Sequence, residues 1–343
     1  MKRVVLMALV GILVPAAQGF AQQVGTLENL REKAAITDQD RQQIHTWATT
    51  LAENLVTNKD PDRRGMVAAR DAIIVEGRKE GRSPAFYQAF GDEAIAALKA
   101  AEKKAVSQDA RVNLLLAVAE MRRVEGIDVL RAALEKDPYP AARYWGAKGL
   151  VMVADAVIEK NNPRLEMEIA DSIAKVIDTE TSPVTLYQMF DALGRFDHER
   201  AHDVLADAAG KVVTRLSAAD PIASQVEDGI VKSLQKAYTR EVRPEAKTRI
   251  LSAFATMCAA IMPPTSEPSL MADLNASLEM ITGEKVGFVA TDTPIMQKLA
   301  LLEWVEKFVR EKKIPKRPSL PPAVEQTLKD ILGTGTPGTA PAP

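Results

Sequence analysis

The feature that most restricts the fold of this chain is the recurrence of apolar residues at intervals of three and four. Such stripes place apolar side chains on one face of an α-helix and charged side chains on the other. The clearest are Ile44, Trp47, Leu51 and Leu55; Leu165, Ile169, Ile173 and Val176; Ala201, Leu205, Ala208, Val212 and Leu216; Ile222, Val226, Ile230 and Leu234; and Ile250, Phe254, Met257 and Ile261. Strand-like alternation is almost absent, so an all-α fold is predicted.

Pairs of a short polar residue and a proline mark predicted helix starts. They occur at Asp60-Pro61, Ser83-Pro84, Asp137-Pro138, Ser182-Pro183 and Asp220-Pro221. The side-chain oxygen can accept hydrogen bonds from first-turn N–H groups, and a proline in that turn loses no bond by lacking its own N–H. The last three pairs are separated by 45 and 38 residues. That is the length of a helix pair with its turns, and periods in this range are typical of stacked helical repeats.

Composition and charge agree with this prediction and exclude some partners. The chain of 343 residues holds 52 alanines but only 5% aromatic residues, which favours closely packed helices over sheets. Its net charge is −2, from 44 basic and 46 acidic residues. This balance gives no reason to expect bulk electrostatic binding to nucleic acid or to an anionic membrane.

The first 21 residues have the layout of a secretory signal peptide. Lys2 and Arg3 give a positive start, residues 4–14 form an apolar run, and small residues precede a cleavage point after Ala21, with Gly19 as the alternative. An apolar run of 11 residues is shorter than the roughly 20 needed to span a bilayer, which argues against an uncleaved anchor. The protein is therefore predicted to be periplasmic or secreted, with no membrane span in its mature part.

Cys258 is the single cysteine, so no intrachain disulfide can form. It lies among apolar residues, and no nearby base or cation in the sequence favours a thiolate. A buried, inert thiol is predicted.

One segment resembles a known repeat family. Residues 127–150 read IDVLRAALEKDPYPAARYWGAKGL and are similar to the second half of a HEAT repeat, with an Asp-Pro turn, an arginine, a small alanine and a leucine in order. The matching positions are Leu130, Leu134, Asp137, Pro140, Arg143, Ala147 and Leu150. The resemblance to this HEAT-like or armadillo-type family implies an irregular right-handed α-solenoid of antiparallel helix pairs.

The predicted organisation has five parts. Residues 1–21 are the signal peptide, 22–106 an N-terminal helical region, 107–282 the HEAT-like repeats, 283–332 a C-terminal helical segment with a Pro-rich linker, and 333–343 a disordered tail. Two further expectations concern the repeats and their end. The segments 112–119 and 250–262 are apolar nearly all round, so they are expected to be central helices, and a short helix at 323–332 is expected to fold back as a cap.

The strongest signal for catalysis is His198-Glu199-Arg200-Ala201-His202, which resembles the H-E-x-x-H signature of zinc metallopeptidases. On a helix both imidazoles could reach one Zn²⁺, with the glutamate as general base. However, charged Arg200 fills a variable position, no third ligand follows at a familiar distance, and Asp197 is placed to cap a solvent-facing helix start. A capped helix start with surface or half-buried histidines is preferred, and no catalytic, cofactor or metal residue is assigned.

Three other features have less specific meanings. Gly333, Gly335 and Gly338 spell G-x-G-x-x-G, but no strand precedes them, so a flexible tail is favoured over a dinucleotide site. Five basic residues between Arg310 and Arg317 suit a solvated helix end better than an anionic surface or nucleic-acid contact. Tyr144, Trp145, Tyr187 and Phe190 lie on predicted second helices, where they either line a groove for a protein or peptide or fill gaps between repeats.

The function predicted from these features is a non-enzymatic protein-binding or scaffolding module that acts outside the cytoplasm and needs no cofactor. Its partner is expected to be a protein or peptide, and no nucleic acid is expected. Two alternatives stay open: a zinc-dependent hydrolase centred on residues 198–202, and a structural component of an envelope assembly. Because the prediction rests on fold-level resemblance, the site itself must decide among them.

Overall fold

The structure, a computed structural model, describes residues 26–57, 63–218, 220, 222–261, 268–284 and 293–333. The predicted signal peptide, the Asp60-Pro61 start and a strand-like stretch at 285–291 lie outside these residues, as does the tail from residue 334.

The described residues contain α-helices and three short 3₁₀ turns but no strand, which confirms the all-α prediction for them. None of these helices is long and apolar enough to cross a membrane. The α-helices in chain order are α1 (Asp38–Thr57), α2 (Arg64–Glu76), α3 (Pro84–Glu102), α4 (Gln108–Glu120), α5 (Ile127–Lys136), α6 (Pro140–Glu159), α7 (Pro163–Val176), α8 (Pro183–Leu193), α9 (Glu199–Ser217), α10 (Glu227–Arg240), α11 (Pro244–Ala260), α12 (Pro268–Thr282), α13 (Pro294–Arg310) and α14 (Pro322–Gly333).

Two of the predicted helix starts are confirmed in detail. The Ser83 hydroxyl accepts a hydrogen bond from the Phe86 N–H, and the Ser182 hydroxyl accepts one from the Thr185 N–H. In each case the proline that follows is the first residue of the helix. Local sequence therefore fixes where α3 and α8 begin.

Two other predicted starts are wrong. Asp137 follows the last residue of α5, and α6 begins three residues later at Pro140, because the Asp137 carboxylate binds the Tyr139 N–H and Arg111 instead of capping a helix. Asp220 likewise accepts hydrogen bonds from the Ile222 N–H and from Arg215, and α10 begins only at Glu227. Both carboxylates stabilise turns between helices.

The observed starts are more evenly spaced than the predicted ones. The helices α6, α8, α10 and α12 begin at Pro140, Pro183, Glu227 and Pro268, at intervals of 43, 44 and 41 residues. These intervals fall within the range typical of two-helix repeats.

The chain divides into two compact units between Glu159 and Lys160, inside the region predicted to hold the repeats. In the first unit α1 packs against α2 and α3, while α2, α4 and α6 are successive neighbours. In the second unit α7, α9, α11 and α13 are successive neighbours, and so are α8, α10 and α12. Helices two apart in the chain therefore pack side by side, which places alternate helices in two layers within the second unit.

The predicted apolar faces form the interior of both units. Ile44 and Leu55 of α1 are fully buried, as are Ile169 and Ile173 of α7. The expected central helices are confirmed: α4 contacts α1, α2, α3, α5 and α6, and α11 packs against α9, α10 and α13. The C-terminal helix α14 also folds back as expected, because Val324 and Leu328 join a buried cluster with Ala259 and Leu302.

Glycine allows two helices of the first unit to approach backbone to backbone. A Cβ atom added at Gly146 of α6 would lie 2.8 Å from both the Leu130 carbonyl oxygen and the Leu134 backbone nitrogen of α5. Backbone atoms cannot move aside as the end of a side chain can, so this α5–α6 contact depends on the absence of a side chain. At Gly210 of α9, by contrast, an added Cβ would meet nothing within 4 Å.

We expect Gly146→Ala to lower the free energy of unfolding by about 1–3 kcal/mol, because overpacking forces the two helices apart. The matched control Gly210→Ala should raise it by up to about 1 kcal/mol, since alanine favours an exposed helix interior. Denaturant unfolding of both variants measures the difference. An unchanged midpoint for Gly146→Ala would show that the helix contact is not close.

Candidate functional site

The histidine motif lies at the start of α9, where the turn after α8 ends. Its first histidine caps the helix, because the His198 Nδ1 atom accepts a hydrogen bond from the Arg200 N–H at 3.0 Å. The prediction that Asp197 caps this helix is therefore wrong. The backbone N–H groups of Asp197 and His198 instead donate to the Glu166 carboxylate of α7, at 2.9 Å each.

The second histidine, His202, is buried, with 1% of its surface exposed. The expectation of a surface or half-buried side chain is correct for His198 and wrong for His202. Both ring nitrogens of His202 are engaged: Nδ1 lies 2.7 Å from Glu241 Oε2, and Nε2 lies 3.0 Å from the Phe196 carbonyl oxygen.

Glu241 is the centre of this polar cluster, in the turn between α10 and α11. Its Oε1 atom accepts hydrogen bonds from the backbone N–H groups of Val242 and Arg243, at 2.9 Å each. The Arg243 guanidinium binds both carboxylate oxygens, at 3.1 and 2.8 Å. The Arg243 hydrogen bonds and the His202 contact hold the pKa of Glu241 far below its usual range, against the effect of burial.

The glutamate of the motif is also engaged. Arg243 Nη1 lies 2.6 Å from Glu199 Oε2, so Glu199 pairs with a guanidinium rather than facing an open site. Because both ring nitrogens of His202 are in use, this ring has no free nitrogen for a metal ion in this arrangement. Among the described residues, no group of three or more His, Cys, Asp or Glu side chains is arranged to hold a metal ion.

The predicted aromatic residues separate into two kinds. Phe190 is fully buried and fills the core between helices, whereas Tyr187 is half-buried. In the first unit, Tyr144 and Trp145 are half-buried and pack edge to face, with ring centroids 5.5 Å apart. The gap-filling interpretation is thus correct for Phe190, and the other three remain partly accessible.

Tyr187 lies where α8 meets α10. A Cβ atom added at Gly229 would fall 2.6 Å from its ring, so the tyrosine fits against a helix surface that lacks a side chain. Burial raises the pKa of the Tyr187 phenol, and the Asp228 carboxylate adds to this rise. Lys232 pairs with Asp273 of α12 at 2.7 Å and lies 3.8 Å from Asp228. We call Tyr187, Asp228, Lys232 and Asp273 the second-helix surface.

The basic segment after α13 is partly neutralised. Lys313 pairs with Glu311 at 2.8 Å, and Arg317 pairs with Glu306 at 2.7 Å. Both pairs are formed by exposed side chains, for which ion pairing contributes little to stability. This geometry agrees with a solvated helix end.

A buried lysine that the sequence interpretation missed connects α13 to α11. Lys298 has no exposed surface, and its Nζ donates to the carbonyl oxygens of Cys258, Ala259 and Ile261, at 2.8, 2.7 and 2.5 Å. These carbonyls end α11 and have no partner inside that helix, so the lysine caps it. A signal was present: Lys298 lies three residues after Ile295 and four before Leu302, so the spacing places it on the same helix face as these apolar residues.

Burial affects the two ionisable groups here in opposite directions. It lowers the pKa of the Lys298 amine to about 8 and raises the pKa of the Cys258 thiol to about 12. Cys258 is 1% exposed, which confirms that it is buried, and a thiol with this pKa is unreactive near neutral pH.

No family model matches the chain, and no curated protein matches it.

Because the pKa of Lys298 is lowered on folding, the unfolded chain binds a proton that the folded chain lacks between about pH 8 and pH 10. Stability should therefore rise with pH in that window, an effect that Lys298→Met removes; the rise should be smaller than the roughly 3 kcal/mol that the pKa difference alone implies, because the neutral amine can donate to only two of the three carbonyls. Denaturant unfolding at several pH values measures the difference. As a control, Lys329→Met removes an exposed lysine of α14, and its stability should depend on pH in the same way as that of the original protein. If the stability of Lys298→Met shows that same dependence on pH, the expectation is contradicted.

Proposed function

We propose that this protein is an exported, non-enzymatic protein-binding or scaffolding module, periplasmic or secreted after cleavage behind Ala21. Its helix pairs are HEAT-like and stack as an irregular right-handed α-solenoid. The even spacing of α6, α8, α10 and α12 supports this arrangement, as does the two-layer packing of the second unit. In solenoids, second helices line the surface that holds extended partners.

The observation that carries the binding proposal is the second-helix surface. It presents a half-buried tyrosine in contact with a helix and bordered by charged pairs. Binding hot spots have this composition: a central aromatic side chain surrounded by polar groups that exclude water. A peptide or protein segment that places an apolar group on the tyrosine and charges on the Asp and Lys side chains fits this surface.

The contacts of the histidine motif support a structural role over the zinc-hydrolase alternative. The buried histidine binds a carboxylate and a carbonyl oxygen, and the motif's glutamate binds an arginine. A general base in a zinc hydrolase must instead face a metal-bound water. The remaining alternative, an envelope component that assembles through the ends of the stack, requires no partner on the second-helix surface.

The binding proposal can be tested in the native envelope fraction with a photo-crosslinking amino acid at position 232 of the second-helix surface. The same amino acid at position 207 is the control, because Asp207 is an exposed residue of α9 in the other layer. We expect a defined product from position 232 and not from 207. Tyr187→Ala should reduce its yield about tenfold and Tyr187→Phe should preserve it, because the ring supplies the contact. Identical products from both positions, or none from 232, would contradict the proposal.

Metal analysis combined with Glu199→Gln tests the hydrolase alternative. We expect no stoichiometric zinc in the purified protein. The substitution should change stability by less than about 1 kcal/mol, because it removes an ion pair between exposed side chains. Stoichiometric zinc that is lost in His202→Ala would favour the hydrolase instead.

A further inference from the structure

The buried His202 ring connects two turns that are far apart in the sequence. Through Nε2 it contacts the Phe196 carbonyl in the turn before α9, and through Nδ1 it contacts the Glu241 carboxylate in the turn before α11. Arg240 also donates to the Arg195 carbonyl across the same two turns. The turns before α9 and α11 are thus joined by polar contacts, with the histidine at their buried centre.

Both partners of the ring can only accept hydrogen bonds. A backbone carbonyl has no proton to donate, and Glu241 already accepts from the Val242 and Arg243 backbone and from the Arg243 guanidinium, which keeps it ionised. A neutral imidazole has one donor and one lone pair, whereas the imidazolium donates from both nitrogens. The two contacts therefore select the protonated ring.

Charged side chains near the motif and its two turns come from α7, α9, α10 and α11 and from the turns before α9 and α11. Glu199 and Asp203 of α9 are paired with Arg243 and Arg249, at 2.6 and 2.8 Å. Glu166 of α7 accepts two backbone N–H groups beside the motif, and Asp197 lies 3.6 Å from Arg240. Glu241 is the carboxylate in direct contact with the ring, and it is also paired with the Arg243 guanidinium.

We propose that the protonation state of His202 controls whether the turn before α11 is joined to the turn before α9. The protonated ring holds the two turns together and the neutral ring does not, and we call this device the latch. On loss of the proton to solvent, a lone pair of the ring faces an oxygen atom at 2.7 or 3.0 Å, and one of the two contacts breaks. Glu241 keeps Arg243, so the turn loosens without unfolding. Its Val242 side chain is 87% exposed, so loosening changes a surface available to partners.

Both contacts need a proton on the ring nitrogen concerned, so both form only with the imidazolium, and one of them is lost when the ring is neutral. Histidine is the side-chain type that can exchange such a proton near neutral pH. Glu241 acts oppositely: because its pKa is lowered, its contribution to stability is present above its usual pKa and is lost progressively as the pH falls below that value. His198 also differs, because its Nδ1 accepts a hydrogen bond and must be unprotonated.

Hydrogen exchange at the Val242 and Arg243 amides tests the latch, together with the ¹⁵N spectrum of the histidine rings. Between about pH 6 and pH 9, exchange protection should fall about tenfold beyond the intrinsic pH effect, and the His202 ring should change from two protonated nitrogens to one. In His202→Gln, which cannot titrate, protection should not depend on pH. The control His45→Gln, which removes an exposed histidine paired with Glu93, should behave like the original protein.

Two results would overturn the proposal. One is a His202 ring that carries a single proton at about pH 6, and the other is protection of the two amides that does not change with pH. The ring spectrum is recorded on the original protein, so the first result can be obtained even if His202→Gln fails to fold.

Discussion

The packing of each helix against other helices of its unit is the constraint on which the rest of this structure depends. A helix with an apolar face cannot bury that face alone, so it must be covered by a neighbouring helix. Where the faces meet, small residues allow close approach, as at Gly146 against the α5 backbone and at Gly229 against Tyr187. The high alanine content and few aromatic residues are the compositional consequence of this packing.

Buried charged groups stabilise the connections between these helices. Asp137 binds the Tyr139 N–H and Arg111, Glu241 binds two backbone N–H groups and Arg243, and Lys298 caps the end of α11. In each case a charged side chain satisfies backbone groups that the helices leave without partners. The cluster around His202 belongs to this set but differs in containing a histidine, the side-chain type whose charge can change near neutral pH.

The histidine motif shows how local spacing and tertiary contacts can indicate different chemistry. Its spacing places His198 and His202 one turn apart, as a zinc site requires, and that placement is correct. The partner of His202, however, is Glu241, which lies 39 residues away. No local pattern predicts that the turn before α11, which contains Glu241, lies against α9. The sequence alone therefore could not show that the His202 ring has a carboxylate partner.

The sequence by itself determined the helical class, the buried faces and several helix ends, because periodicity and capping act between residues a few positions apart. It placed Ser83 and Ser182 correctly as caps, but it took Asp137 and Asp220 for caps too. Only the tertiary structure decided how the carboxylates and histidines are used. A carboxylate binds whichever donors the packed helices bring within about 3 Å, and those donors come from distant parts of the chain.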